Sequence, residues 1–191
     1  EEQVVKTALE MYSQDYANVF DGKVIVNETN GNVFVGTIGK NSQAEKLLDS
    51  GQINSLAEKK EGFIVAVKGK NLVVLGSDKR GTAYGILELS RLIGVSPWEW
   101  WADATPAKKK KLTLKKNFFT LQSPSVTYRG IFINDEDWGL MPWSSKNYEK
   151  TDVKGRIGPK THARIFELLF RLRANAFWPA MHECSEAFYL T

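Results

Sequence analysis

The sequence has 191 residues, 42% hydrophobic and 25% charged, which is ordinary for a globular protein with one large or two small domains. No apolar run approaches the roughly 20 residues that a transmembrane helix needs, so no membrane partner is predicted. The net charge of +4 does not indicate a nucleic-acid partner, because much of the excess lies in Lys108 to Lys111, Lys115 and Lys116 without interleaved aromatic residues. This lysine run is interpreted as a solvated connector or an edge strand.

The first forty residues predict a helix followed by two strands. Apolar residues recur at helical spacing over residues 3–19. Short β-branched runs then occupy residues 23–26 and 32–38, and Asn30-Gly31 between them is a strong hairpin signal. The pattern therefore predicts that these two strands pair with each other through a tight turn.

A short helix is predicted next, over residues 42–49. Ser42 would cap it, Glu45 occupies the capping-box position, and Gly51 stands just past its end.

A second strand pair and a longer helix follow. The strands are predicted over residues 63–67 and 72–75, and the helix over residues 79–93 with Gly94 at its exit. Strands and helices alternating in this way indicate a small α/β sandwich domain, which we delimit to residues 1–122.

The remaining residues, 123–191, predict one βαβ unit. An apolar strand over residues 129–134 is followed by a loop of about two dozen residues, a helix over residues 159–174 and a second strand over residues 176–181. Asn175 is the predicted left-handed stop of that helix. Its apolar stripe comprises Ala163, Phe166, Leu169, Phe170 and Leu172. The two strands should be parallel, and so small a unit leaves apolar faces uncovered, so we expect a truncated domain.

Acidic clusters follow both of these strands, at residues 134–138 and 181–185. Parallel strands end at the same edge of a sheet, about 4.8 Å apart when adjacent, so the clusters should be neighbours, as at the mouth of a (β/α)-barrel. Two carboxylates beside a tryptophan are the usual equipment for cleaving a glycosidic bond, with one as the proton donor and the other as the base or nucleophile. The alternative is that each acidic run is only a solvated turn or a helix cap.

A metal site is not predicted. His182 and Glu183 are adjacent in sequence, and no other histidine stands at ligand spacing from them. His162 lies in the first turn of the predicted helix, which would place it at the opposite end from the strand termini. The single cysteine, Cys184, excludes an intrachain disulfide and is interpreted as a small buried residue.

Six tryptophans are compatible with a sugar ligand, because an indole face fits the apolar face of a sugar ring. They are Trp98, Trp100, Trp101, Trp138, Trp143 and Trp178. About half of them are expected in the core, with Trp100 and Trp178 as the first candidates.

The glycine-rich stretch from Gly76 to Gly85 lies between a strand and a helix, as a phosphate-binding loop would. Its glycine spacing fits neither nucleotide fingerprint, so no nucleotide cofactor is predicted. Arg80 at the start of the helix is better placed to contact an acidic partner or a neighbouring loop.

Four stretches together resemble glycoside hydrolase family 115, the xylan α-1,2-glucuronidases. Residues 76–86 and 93–103 are similar to the family's N-terminal domain, and residues 129–139 and 172–183 to the start of its barrel. The resemblance implies an α/β fold in which a small β-hexosaminidase-like accessory domain precedes the first βαβ unit of a truncated (β/α)8 barrel.

The resemblance also implies a function. A family member removes glucuronic acid or its 4-O-methyl form from glucuronoxylan or its oligosaccharides, with inversion, without a cofactor and outside the cytoplasm, in the extracellular or periplasmic space. It allows a homodimer of the complete enzyme. The candidate catalytic acids are Glu136 and Glu183, and the candidate substrate contacts are Asn134, Asp135, Asp137, Trp138, His182 and Arg80. Because most of the barrel would be missing, this piece alone is expected to be inactive.

Two other classes of function remain open. A carbohydrate-binding module could use the Trp98–Trp101 region without hydrolysis, and a structural domain could only brace the barrel. A binding module has no need of acids after two successive parallel strands, whereas a barrel enzyme has.

Overall fold

The computed structural model describes residues 2–27, 31–40, 42–134, 138–150 and 156–179. The chain divides into two compact units, Glu1–Ser125 and Val126–Thr191. Among the described residues, no helix is both long and apolar enough to cross a membrane.

The first unit is a mixed α/β structure with a small sheet, as the sequence predicts. Its elements, in chain order, are α1 (Gln3–Phe20), β1 (Val33–Thr37), α2 (Gln43–Lys46), α3 (Ser50–Ala57), β2 (Phe63–Lys68), β3 (Asn71–Gly76), α4 (Lys79–Ile93) and β4 (Phe119–Gln122). The predicted bounds of α4 are correct, and Gly94 takes the left-handed conformation that ends it, with φ of 102°.

The four strands form one sheet in the order β1-β3-β2-β4. Strand β1 runs parallel to β3, whereas β2 is antiparallel to both β3 and β4. Val65 of β2 stands opposite Val74 of β3 on one side and opposite Thr120 of β4 on the other. The sheet is therefore mixed, with its two most apolar strands at the centre.

Helices cover both faces of this sheet. On one face Ile64 and Leu75 join the buried cluster that includes Ala44 and Leu56 of the α2–α3 region. On the other face α4 approaches so closely that a side chain at Gly85 would meet Val74 and Phe63. The strands between these layers are almost wholly buried, because each face has its own apolar partner.

The predicted hairpin between residues 23–26 and 32–38 is wrong. Residues 22–27 form no strand, and Ile25 and Val26 are exposed. Strand β1 pairs instead in parallel with β3, which lies almost forty residues later in the chain. Gly31 and its neighbours are a local turn signal, but the long-range pairing of β1 with β3 is more stabilising, because it places β1 between two helical layers. Asn30 lies outside the described residues.

The single helix predicted over residues 42–49 is two helices. Ser42 does cap α2 by accepting a hydrogen bond from the Glu45 N–H at 3.2 Å, but the Glu45 carboxylate accepts from the Gly39 N–H instead of closing a capping box. The complete capping box belongs to Asp49 and Gln52 at the start of α3. Gly51 consequently lies inside α3 rather than beyond a helix end.

The lysine run is a connector, which is one of its two predicted forms. The residues from Lys108 to Lys111 are exposed and lie in no strand. The Lys109 ammonium donates to the Ile93 carbonyl oxygen at 2.6 Å, and Lys108 forms an ion pair with Asp21. The strand of this region, β4, begins only at Phe119 and was not predicted.

The second unit contains a parallel strand pair with a helix between its strands. Its elements are β5 (Gly130–Phe132), α5 (Leu140–Trp143), a π-helix (Ser144–Tyr148), α6 (Pro159–Arg171) and β6 (Ala176–Trp178). Strands β5 and β6 pair in parallel from Gly130 opposite Ala176 to Phe132 opposite Trp178. The predicted strand, helix, parallel strand arrangement is confirmed for these residues, and α5 and the π-helix were not predicted.

Helix α6 ends differently from the prediction. The left-handed residue after it is Arg173, with φ of 61°, and not Asn175. The buried face of α6 also differs from the predicted stripe: Thr161, His162, Ile165, Leu168 and Leu169 are buried, whereas Ala163, Phe166 and Leu172 are exposed. Two polar residues at the helix start are buried because they bond with the preceding segment, and hydropathy alone cannot show this.

Candidate functional site

The ends of β5 and β6 form the edge where the sequence places its candidate site. Ile133, directly after β5, donates its N–H to the Trp178 carbonyl oxygen at 3.0 Å. The strand ends are thus still paired where the first acidic cluster begins. Asn134 and Trp138 are the first and last residues of this cluster and are both exposed, with 92% of Trp138 accessible.

The carboxyl-bearing members of the two clusters lie outside the described residues. These members are the candidate acids Glu136 and Glu183, together with Asp135 and Asp137, and the candidate contact His182 lies outside the described residues as well. Cys184 also lies outside them. Their predicted roles stay predictions.

The beginning of the strand pair is held by Arg129 and Asn175. The Asn175 side chain accepts from the Arg129 N–H at 3.0 Å and donates to the Thr127 carbonyl oxygen at 2.8 Å. The Arg129 guanidinium in turn donates to the Arg173 carbonyl oxygen at 2.8 Å. These side-chain bonds fix the register of β5 on β6 at the end opposite the candidate site, and a fixed register sets which residues leave the two strands side by side.

A buried carboxylate, Glu149, lies between the π-helix and α6. One of its oxygens accepts from the Lys160 N–H and the other from the Thr161 N–H, both at 2.9 Å. The Thr161 hydroxyl donates to the same carboxylate at 3.1 Å and shares a 2.6 Å hydrogen bond with the Ser144 hydroxyl. Sequence reasoning missed Glu149, because it stands ten residues before the helix start that it serves.

His162 is a packed residue of α6. It is 2% exposed, its Nδ1 lies 3.1 Å from the Gly158 carbonyl oxygen, and its ring packs against Phe166 and Phe177. No group of three histidine, cysteine or acidic side chains that could hold a metal occurs among the described residues.

The tryptophans are more exposed than predicted. None of the six is buried, and Trp178, proposed for the core, is 65% exposed. In the first unit Trp100 and Trp101 pack edge to face with ring centroids 4.8 Å apart. In the second unit the Trp143 ring stacks on Tyr148 with an interplanar angle of 14°. Aromatic surface is therefore available in both units.

The glycine-rich stretch is a close-packed junction between β3 and α4. Asp78 caps α4 by accepting from the Gly81 N–H at 2.8 Å, and its second oxygen accepts from the Glu61 N–H at 2.7 Å. A Cβ atom at Gly81 would overlap the Gly62 carbonyl oxygen. The Asp78 side chain therefore occupies the start of α4.

Arg80 lies beside that junction and contacts a neighbouring loop, one of its two predicted partners. Its Nη1 donates to Glu61 Oε1 at 2.9 Å, and this bond to the carboxylate raises the pKa of the guanidinium. Half of the Arg80 side chain is exposed, whereas the Glu61 side chain is only 6% exposed.

Comparison with known proteins identifies the class of molecule to which this architecture belongs. The sequence model of Glycosyl hydrolase family 115 matches residues 121–191. Nothing among the curated proteins matches the chain. Among solved structures, a family GH115 4-O-methyl-α-glucuronidase with specificity for decorated arabinogalactans is 58% identical over 100% of this chain, with a TM-score of 0.91.

The chain therefore belongs to glycoside hydrolase family 115. The predicted membership of glycoside hydrolase family 115 is confirmed, by the family match and by the structural likeness along the entire chain. The chain covers only 25% of the length of that solved structure.

Proposed function

We propose that the complete protein containing this chain removes glucuronic acid or 4-O-methylglucuronic acid from a plant polysaccharide. The observation that supports this most is the 58% identity, over the whole chain, to a 4-O-methyl-α-glucuronidase. At that identity over the whole chain a shared reaction class is the simplest expectation.

The proposed reaction is hydrolysis with inversion, in which one carboxylic acid protonates the leaving oxygen while a carboxylate activates water. An inverting pair stands roughly 6.5–9.5 Å apart, which leaves room for that water. Glu136 and Glu183 are the proposed acids. The parallel pairing of β5 with β6 supports this choice, because both acids follow shortly after strands that end at one edge.

Substrate contacts are proposed from the same two stretches, namely Asn134, Asp135, Asp137, Trp138 and His182. The exposure of Asn134 and Trp138 supports two of them, since an exposed indole can cover the apolar face of a sugar. Arg80 has less support as a substrate contact, because it is already paired with the buried Glu61 carboxylate.

The two units have different proposed roles. Residues 1–122 would be the accessory α/β domain and residues 123–191 the first βαβ unit of a (β/α)8 barrel. Other elements of the complete protein would finish the barrel, so this piece alone would be inactive. We place the complete enzyme in the extracellular or periplasmic space, where its polymer substrates occur, and propose no cofactor.

Two substrates need to be separated. Because family 115 comprises xylan α-1,2-glucuronidases, we propose 4-O-methylglucuronoxylan as the first substrate to test. The solved relative, in contrast, has specificity for decorated arabinogalactans. The uronic acid is common to both polymers, and the backbone differs. The polymer that is cleaved therefore reports on backbone recognition and not on the chemistry of bond cleavage.

The test is release of 4-O-methylglucuronic acid from each polymer by the complete protein and by this chain. We expect release by the complete protein only, and proton NMR early in the reaction should show the inverted β-anomer of the sugar. The absence of release from both polymers by the complete protein would refute the proposal. Release of the sugar by the isolated 191-residue chain would refute only the proposal that this chain is inactive by itself.

The two proposed acids are tested in the complete protein by Glu136→Gln and Glu183→Gln. Each should lower turnover by about a hundredfold or more, since removal of a general acid or base typically costs that much. Glu167→Gln is the matched control because Glu167 is paired with two arginines of its own helix. Turnover near that of the parent would remove the substituted residue from the catalytic pair.

A carbohydrate-binding module is the second candidate, favoured by the 48% exposure of Trp98. It predicts that this chain, without hydrolysis, is retarded in a gel containing glucuronoxylan and that Trp98→Ala abolishes the retardation. Unretarded migration of the parent chain would refute the binding-module proposal, and the enzyme proposal would then remain.

A further inference from the structure

The start of α6 lacks a cap of its own. Gly158, the residue before the helix, has no side chain to bond with the first-turn N–H groups, and Pro159 follows it. Glu149 supplies the missing acceptor from ten residues away, with both carboxylate oxygens bonded to consecutive backbone N–H groups. A carboxylate at this position is also stabilised by the positive end of the helix dipole.

Burial makes this contact a strong constraint. Glu149 is 7% exposed, and Ser144 and Thr161 are fully buried. A buried carboxylate is tolerated only when hydrogen bonds replace its lost hydration. Here three donors do so, two from backbone and one from the Thr161 hydroxyl. Any displacement of Glu149 from α6 would expose the helix start and leave the carboxylate without these partners.

The same contact holds the segment that follows the first acidic cluster. We call residues 138–150, which comprise α5 and the π-helix, the cluster-following segment. Within it the Glu149 N–H donates to the Ser144 carbonyl oxygen at 2.7 Å, and the Ser144 hydroxyl bonds with the Thr161 hydroxyl at 2.6 Å. The segment is thus attached to α6 at two of its residues.

Attachment of this segment bears on the candidate acids through the covalent chain. Residues 135–137, which include Glu136, connect Asn134 at the end of β5 with Trp138 at the start of the cluster-following segment. Only these three residues separate the two points. The chain leaves the strand pair at Asn134, and four residues later it enters a segment that the bonds of Glu149 and Ser144 attach to α6.

We propose that Glu149 is a positioning residue for the reaction: it fixes on α6 the segment that directly follows, along the chain, the residues that include the proposed acid Glu136. This inference rests on the proposed function. Glu149 does not itself take part in proton transfer, since both of its oxygens are occupied by donors from α6.

The experiment compares four substitutions in the complete protein. Glu149→Gln replaces one acceptor oxygen by an amide that faces a backbone N–H. Thr161→Val removes the hydroxyl that connects Glu149 and Ser144, and Thr161→Ser retains it. Glu167→Gln is the matched control, because it breaks the Arg164 and Arg171 ion pairs of the same helix and leaves the start of α6 intact.

Two measurements are made on each variant. The first is steady-state release of uronic acid, and the second is backbone amide exchange over residues 138–150. We expect Glu149→Gln and Thr161→Val to lower kcat about tenfold or more with KM within about twofold of the parent, because misplacement of a reacting group by about 1 Å has effects of this size. Both should speed amide exchange in the segment, whereas Thr161→Ser and Glu167→Gln should match the parent in both measurements.

Faster exchange in Glu149→Gln with kcat within about twofold of the parent would overturn the positioning role. Unchanged exchange would overturn the attachment itself. A parent protein that releases no uronic acid refutes the proposed function instead. In that case the amide-exchange measurement still tests the attachment of the segment to α6. Equal exchange rates in Glu149→Gln and Glu167→Gln would overturn that attachment.

Discussion

The two units differ in how completely they cover their strands. In the first unit β2 and β3 lie between helical layers, and Ile64, Val73 and Leu75 are fully buried. In the second unit β5 is exposed along its length, and Ile131 and Trp178 are 41% and 65% accessible. A sheet that is covered on both faces is stabilised by contacts within its own unit. A strand pair with one neighbouring helix leaves part of its apolar surface uncovered.

This difference suggests a division of labour. Substitutions in the core of the first unit should act on the free energy of unfolding, and substitutions near the β5–β6 edge should act on turnover. The following experiments would break or sharpen this division, beginning with the largest expected effect.

Gly81→Ala should destabilise the first unit most. The added methyl group would overlap the Gly62 carbonyl oxygen, where α4 meets the β2 end of the sheet, and neither backbone can move without losing the Asp78 cap. We expect a loss of at least about 3 kcal/mol in urea unfolding, as for severe overpacking in a core.

Gly51→Ala is the control for that experiment. A Cβ atom at Gly51 meets only Asp49 Oδ1 at an ordinary 3.4 Å, and the residue lies in α3. We expect a gain of about 0.5–1 kcal/mol, because alanine is the better helix former. Equal behaviour of the two alanine variants would contradict the close packing of the junction.

Leucine truncation compares the two units directly. Leu75→Ala, at a fully buried site in β3, should lower the free energy of unfolding by about 3 kcal/mol, whereas Leu172→Ala, at a site 44% exposed after α6, should lower it by less than about 1 kcal/mol. Chemical denaturation of both variants measures the difference. Similar losses at the two sites would show that the second unit is as well packed as the first.

Arg80→Gln tests whether the first unit takes part in substrate binding. The substitution leaves the buried Glu61 carboxylate without its guanidinium, so we expect a loss of about 1 kcal/mol in stability, a modest figure because the Arg80 side chain is 51% exposed. KM of the complete protein should stay within about twofold of the parent. An increase in KM with unchanged stability would return Arg80 to the substrate contacts.

The smallest effect concerns alkaline pH. Burial, followed by the nearby Tyr16 and Asp15, raises the pKa of Tyr12 in α1 from 10.0 to about 12. Between these two values the unfolded chain has lost the Tyr12 proton and the folded protein still holds it, so stability falls as pH rises through this window. Tyr12→Phe should lose less stability than the parent over the same range in thermal melts. Parallel losses in the two proteins would contradict the shift.

The local elements were the predictable part of the fold. Helix α4 was predicted residue for residue, since amphipathic spacing and the following glycine are local signals. The β2–β3 hairpin and the strands β5 and β6 also follow from short runs in the sequence. The hairpin expected at Asn30-Gly31 failed, because β1 has a more extensively buried position beside β3.

The candidate site was predictable only as a location. Acidic residues after two successive strands indicate an edge of a parallel pair, and that pair is present. The start of α6 was predicted from Pro159, but its cap was not. Nothing in the local sequence connects Glu149 with the N–H groups of Lys160 and Thr161, since a cap usually lies next to the helix it serves.

The sequence by itself determined the mixed α/β composition, the bounds of α4, the parallel βαβ unit and the membership of family 115. These features depend on residue spacing and on motifs formed by residues that are close together in the sequence. Only the tertiary structure decided the partner of β1, the role of Arg80 and the attachment of Glu149 to α6. Each of these joins residues whose contact depends on burial and on the geometry of other elements, and such contacts leave no periodic signal in the sequence.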